Sequence, residues 1–230
     1  MYNPEKKKMK INVRGGRVFI TDPDNMVREL PVQYLHDFWR NPERHNHRIT
    51  TEDYRGDADR SEKLVEIFNK YCSKDSRILE LGCNVGRNLH HLYNAGFKNL
   101  TGLDICQNAL NLGKEFYPDT VAKIPLICST IEDYLVTTQK NSFDVVFTMT
   151  VLMHLHPSSV WIFNKLPKIT TKQLIVVEEE GIISETVFPY QFKEMFELFG
   201  MKQVHEEYLS YENKIDDTGE LKIQYRVFNK

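Results

Sequence analysis

Between Ser76 and Leu92 the chain reads SRILELGCNVGRNLHHL. An apolar run stops at Gly82, Gly86 follows four residues later, and a helical pattern begins. A strand that passes into a helix through glycines is a common way to present backbone amides to a nucleotide-like ligand. The same alternation continues downstream, with strand candidates at 78–81, 99–103, 124–127, 143–147 and 173–177, each followed by helical or loop sequence. That rhythm predicts βαβ units, and so an α/β fold with a parallel sheet covered by helices. The tail breaks the rhythm. MKQVHEEYLSY and LKIQYRVFNK alternate like strands on either side of DDTG, which predicts an antiparallel hairpin closing a parallel sheet.

The region ahead of Ser61 follows a different plan. KINVRGGRVFITD reads as a β-hairpin about Gly15 and Gly16. Pro31 then opens a helix that sets Tyr34, Leu35, Phe38 and Trp39 on one face and ends before Pro42. Residues 41–60 are polar, rich in turn formers and without a clear period, as expected of a connection or a lid. DADRSEKLVEIFNKY restores helical spacing and leads into the first strand of the core. Two units are therefore expected: an extension over 1–60 and a main domain over 61–230.

Composition narrows the function classes. With 230 residues, 41% of them hydrophobic and 27% charged, the chain is ordinary globular material. A formal charge of -2 speaks against a nucleic-acid backbone as partner. Lys6, Lys7, Lys8 and Lys10 read as a solvated terminus. No apolar stretch follows those charges, so a secretory signal is not expected, and the richest apolar window, 143–155, is too short for a bilayer. A cytoplasmic protein with no membrane partner is expected. Cys72, Cys83, Cys106 and Cys128 form no CxxC pair and read as reduced thiols.

The glycine turn itself sorts the ligands. A dinucleotide turn needs glycines at the first, third and sixth places, and from Gly82 these read Gly82, Asn84 and Arg87. A P-loop needs Gly-Lys-Ser/Thr, which is also missing. The pattern E-x-G-x-G-x-G fits better, with Glu80, Gly82, Asn84 and Gly86, because asparagine is one of the few side chains that tolerate positive φ.

On these residues the chain resembles the class I S-adenosylmethionine-dependent methyltransferases, over roughly Ser61 to the C-terminus. Three later segments fall in the family's order. LTGLDIC ends a strand on Asp104, 18 residues past Gly86, where an acid can accept from ribose hydroxyls. LICSTIEDYL is similar to the adenine-contacting loop, with Ser129, Thr130 and Ile131 along the base and Thr130 where an acid is common. FDVVFTMTVLMHLHP is similar to the fourth strand and the segment after it, with Thr148 in the small polar place.

The resemblance implies a Rossmann-like, doubly wound, mostly parallel seven-stranded sheet and S-adenosylmethionine as cofactor. It implies cofactor contacts from Tyr54, Arg60, Glu80, Gly82, Cys83, Asn84, Gly86, Asn88, Asp104, Ile105, Ser129, Thr130, Ile131, Thr148 and Met149. Tyr54, Arg55 and Arg60 enter because residues ahead of the core in this family can reach the cofactor's carboxylate or close over the substrate.

Methyl transfer from a sulfonium is an in-line displacement, so positioning does most of the work and a base is needed only for a protonated nucleophile. The titratable groups expected at the carboxyl edge are His154 and His156 in MHLHP and Glu178 to Glu180 in VVEEEG. His154 and Glu179 are the catalytic candidates; His154 can equally serve packing, and packing is the leading reading of His156. Other clusters are bland. His45–Asn46–His47 lacks the ββα pattern of the nuclease motif it spells, and His90 and His91, being adjacent on a helix, face different ways.

The place of the Asn/Asp-Pro-Pro-aromatic segment of base N-methylases reads TMTV, so that route is disfavoured. The finer likeness is to methylases of sugars and secondary metabolites, and a small-molecule acceptor is the leading expectation. A protein or RNA acceptor, or a non-catalytic cofactor-binding member, is the alternative.

Overall fold

A computed structural model describes residues 9–15, 17–45, 53–55, 58–216 and 219–230. Lys6 to Lys8, Asn46 and His47 of the HNH triplet, and Asp217 and Thr218 of the last turn lie outside the described residues.

Two sheets form. The smaller is antiparallel, in the order β1 (Lys10–Arg14), β2 (Arg17–Thr21) and β3 (Val27–Glu29). The hairpin expected at this end thus gains a third strand, returned by a turn in which Asp22 Oδ1 accepts from the amides of Asp24 and Met26. Helix α1 (Val32–Arg40) follows Pro31 and ends at Asn41, ahead of Pro42. Val18, Ile20, Leu30 and Leu35 bury against Phe188 of a distant loop, which seats this unit on the main domain.

The main domain runs α2 (Ala58–Tyr71), β4 (Ile78–Leu81), α3 (Arg87–Asn94), β5 (Leu100–Asp104), α4 (Gln107–Phe116), β6 (Leu126–Cys128) and α5 (Ile131–Thr137). It continues with β7 (Phe143–Met149), α6 (Trp161–Ile169), β8 (Thr170–Glu179), α7 (Phe192–Leu198), β9 (Lys202–Asp216) and β10 (Gly219–Asn229). The sheet order is β6-β5-β4-β7-β8-β10-β9. Strands β4 to β8 are mutually parallel, whereas β10 is antiparallel to both its neighbours. The doubly wound sheet and closing hairpin are those the sequence predicts.

Boundaries moved where local chemistry intervened. The third core strand starts at Leu126 rather than at Ile124, because Val121–Lys123 makes a 3-10 turn and Pro125 has no N–H for a ladder. β7 and β8 run longer than their apolar centres, since pairing with a neighbour extends a strand into polar residues.

Strand parity decides what faces the site. Ile78, Val145, Phe147, Ile175, Val177, Tyr225 and Val227 bury on the face covered by α2 and α3. Leu79, Leu81, Val146, Leu174 and Val176 bury on the face covered by α6 and α7. Side chains alternate along a strand, so Glu80, Met149 and Glu179 share the first face and Thr148 and Glu178 the second. The strand order reverses at β4, between β5 and β7, and ligands of open parallel sheets bind beyond the carboxyl ends at such a point.

Candidate active site

The turn from β4 to α3 is wound from left-handed residues: Gly82 at φ 71, Asn84 at φ 48 and Gly86 at φ 75. Asn84 therefore adopts the conformation that its sequence position called for. At Gly82 an added Cβ would lie 2.3 Å from Val151 Cγ2, so glycine is required there by packing as well as by φ. The amides of Gly82 and Cys83 donate to the Leu103 carbonyl at 2.8 and 2.9 Å, tying the turn to the end of β5.

Asp104 clamps the same place. Its Oδ2 accepts from Asn84 N at 2.7 Å and its Oδ1 from Cys106 N at 2.8 Å. Burial pushes this carboxyl up, and the backbone amides oppose the shift.

Beneath the turn lies a buried polar chain. Asn88 Nδ2 donates to Glu80 Oε1 at 2.7 Å, Ser61 Oγ to Asn88 Oδ1 at 2.7 Å, and Arg87 Nε to Ser61 Oγ at 3.0 Å. Arg87 Nη1 also holds the Tyr54 carbonyl at 3.1 Å. Glu80 is 1% exposed, and its Oε2 has no hydrogen-bond partner among the described residues. Burial pushes its carboxyl up to about 8, against the Asn88 hydrogen bond and the Arg87 charge.

The raised value sets a sign. An unfolded glutamate loses its proton near pH 4.5, whereas native Glu80 keeps it to about 8. The native state therefore binds more protons over that window, and stability falls as pH rises through it. Glu178, pushed up to about 7 by burial, adds the same sign over a narrower range. The thermal midpoint should drop between pH 5 and pH 8, and by clearly less in Glu80→Gln; equal drops in the two proteins would refute the assignment.

The opposite wall is built after β7. Thr150 stands at φ 54, a costly conformation for a β-branched residue. Its amide donates to Val177 O at 2.7 Å. The Glu178 carboxylate fixes the next three residues, accepting from Thr148 Oγ1 at 2.8 Å, from the amides of Val151 and Leu152 at 3.0 Å, and from Met153 N at 3.2 Å. Glu178 thus faces away from the site and caps the turn that carries His154.

His154 Nδ1 hydrogen-bonds the Thr186 carbonyl, and its ring lies 4.4 Å from that of Trp39 on α1. His156 is committed to packing: Nε2 donates to Leu30 O at 2.8 Å and Nδ1 accepts from Ser158 N at 3.1 Å. Burial holds its ring below the usual histidine range. Glu132 binds Ser159 Oγ at 2.6 Å and His36 Nε2 at 3.3 Å, so the acid near the adenine loop grips α1. His90 packs on Tyr117 with ring centroids 4.3 Å apart and bonds Thr120 Oγ1 at 2.8 Å, away from these groups.

These walls enclose one cavity of about 850 Å³. It is lined by Tyr54, Arg60, Glu80, Gly82, Cys83, Asn84, Asn88, Asp104, Ile105, Ser129, Thr130, Ile131, Met149, His154 and Glu179. Two expected site residues do not line it. Thr148 is fully buried on the far side of the sheet by strand parity, and Gly86 turns its backbone toward Val121 as the N-cap of α3. Arg55 instead lies over the Phe116 ring at 5.1 Å. Val32, Leu35, His36, Trp39 and Pro42 from the N-terminal unit and Thr186 and Val187 from the loop after β8 also line the cavity. Their one sequence signal is the apolar face of α1, which reads equally well as core.

Residues 79–166 match the family model described as a methyltransferase domain. Over those residues the chain carries a methyltransferase domain.

Solved structures repeat the fold of this methyltransferase. The 1,6-didemethyltoxoflavin-N1-methyltransferase of Burkholderia thailandensis superimposes with a TM-score of 0.64 at 10% identity, covering 97% of this chain and 99% of that one. The magnesium protoporphyrin IX methyltransferase of Synechocystis PCC 6803 gives 0.63 at 13% identity, over 85% and 98%. A SAM dependent methyltransferase from Archaeoglobus fulgidus gives 0.59 at 15% identity, over 74% and 94%. At such identities the likeness is one of fold. No curated protein matches the methyltransferase by sequence. Among its described residues no helix is long and apolar enough to cross a membrane.

Proposed function

We propose that the enzyme transfers the methyl group of S-adenosylmethionine to a small-molecule acceptor held inside the cavity. The observation that carries this reading is that a single cavity is lined both by Asp104 and Ser129–Ile131 and by Trp39 and His154. Its volume of about 850 Å³ lies at the upper end of the roughly 300–1,000 Å³ usual for small-ligand sites, room for a cofactor and an acceptor together. The acceptor named for the Burkholderia neighbour, a didemethylated toxoflavin, is a small molecule, which agrees with this reading.

The residues present fit the cofactor. The unpartnered Oε2 of Glu80 is a buried acceptor that a ligand ammonium would satisfy, since a buried polar atom left unpaired is costly. Asp104 has lone pairs left for ribose hydroxyls, and Ile105, Ser129, Thr130 and Ile131 form the slot for the base. Bound there, the cofactor supplies an already activated methyl group. The chain's part is to orient the acceptor and exclude water, with α1 and the loop after β8 as the cover.

His154 is the candidate base. With Nδ1–H donated to Thr186 O, the basic nitrogen of the neutral ring is Nε2. Glu179, on the cavity face of β8, is the second candidate.

Calorimetric titration with S-adenosylmethionine, S-adenosylhomocysteine and NAD should show binding of the first two only. Tight NAD binding without S-adenosylmethionine binding would overturn the assignment.

The N-terminal unit is proposed as a substrate lid. It is fastened by the Arg28–Glu185 ion pair and by Tyr34 Oη on Glu185 at 3.1 Å. Deleting residues 1–40 should leave cofactor affinity largely intact and abolish methyl transfer to the low-mass fraction of an extract. Unchanged transfer would eliminate the lid.

A further inference from the structure

The two strand ends that hold the adenosine side of the cavity each carry a cysteine. Cys128 pairs with Asp104 across β5 and β6, and its Sγ lies 3.6 Å from the Ile105 carbonyl oxygen. That carbonyl shares a peptide plane with the Cys106 nitrogen, so the sulfur is within about 6 Å of that nitrogen by standard peptide dimensions. Asp104 Oδ1 bends the chain back here by accepting from Cys106 N. Cys106 is buried, lines the cavity and caps α4, whereas Cys128 is exposed. Burial pushes the Cys106 thiol up, the amides of Ala109 and Asn108 oppose the shift, and the charges of Asp104 and, last, of the nearby Cys128 add to it. The other two cysteines are less disposed to react: burial pushes the Cys83 thiol well above the ordinary range and Cys72 up to about 12.

We propose that Cys106 and Cys128 form a reversible disulfide that closes the adenosine end of the cavity to cofactor. The inference rests on the reading of that end as the cofactor site. The oxidant is a low-molecular-weight disulfide. The exposed Cys128 thiolate displaces one thiol from it and leaves a mixed disulfide. The Cys106 thiolate then attacks the Cys128 sulfur and expels the second thiol. The protein gives up two electrons and two protons, and the carrier disulfide becomes two thiols. The new bond draws Cys106 off the start of α4 and displaces the Asp104–Ile105 turn, which lines the cavity.

The experiment treats the full chain with oxidised glutathione and follows intact mass, disulfide-linked peptides and S-adenosylmethionine affinity. A loss of about 2 Da, mapped to a Cys106–Cys128 link, is expected. Affinity should fall at least about tenfold and return with dithiothreitol. Saturating S-adenosylmethionine should slow the crosslink, and Cys128→Ser should bind cofactor normally with or without oxidant. Reaction that stops at a glutathione adduct, no reaction, or a crosslink with unchanged affinity overturns the proposal. A reduced protein that never binds S-adenosylmethionine overturns the cofactor reading and the gating together, and is recognised before any oxidant is added.

Discussion

Glu178→Ala is expected to destabilise the fold by at least about 3 kcal/mol in chemical denaturation, because a buried donor left unpaired costs about 1–3 kcal/mol. Four donors meet this carboxylate: the Thr148 hydroxyl and the amides of Val151, Leu152 and Met153. The residue is 1% exposed, so the three amides at the head of the turn would be stranded unless water entered. The loss should spread to the site, since that turn places Val151 over Gly82 and carries His154. Glu178→Gln keeps one acceptor oxygen and should fall between wild type and alanine. A loss below about 1 kcal/mol in the alanine variant would show that the cap carries little of the stability.

Asp104→Ala should weaken S-adenosylmethionine binding by about 1.5–3 kcal/mol, the value of a hydrogen bond to a charged group. Two effects work in the same direction. The carboxylate is the proposed partner of the ribose hydroxyls, and it also holds Asn84 N and Cys106 N, so its removal loosens the glycine turn and the start of α4 together. Asp104→Asn separates them, because its amide oxygen can keep one backbone contact without the charge. Calorimetry reads the affinity and thermal unfolding reads the loosening. Affinity within a factor of two of wild type in Asp104→Ala would remove Asp104 from the binding site.

Much of the fold was legible because each core strand carries its own apolar run and each turn its own punctuation. ILEL, the glycines after it and the helical spacing of RNLHHL specify β4, its turn and α3 without reference to any other part of the chain. Asn84 was legible for the same reason, since a positive φ is a local demand that few side chains meet. Thr148 shows the limit. It sits at the family's small polar place, yet its hydroxyl is turned to Glu178 across the sheet. Adjacent residues of one strand point to opposite faces, so a motif read as a string mixes residues of both. Glu178 and Glu179 divide in the same way: one caps a turn behind the sheet and the other lines the cavity.

By itself the sequence determined the alternation of strands and helices in the main domain, the left-handed turn after Glu80 and the acid that ends β5. These depend on residues within a few positions of one another, where propensity and φ preference act. Tertiary structure alone decided that α1 brings Trp39 against His154, that Glu132 holds His36, and that Cys128 lies beside the Ile105–Cys106 peptide. Each of those contacts joins segments that local preference leaves independent. They meet because burying the apolar faces of the N-terminal unit and of the sheet fixes where those segments sit.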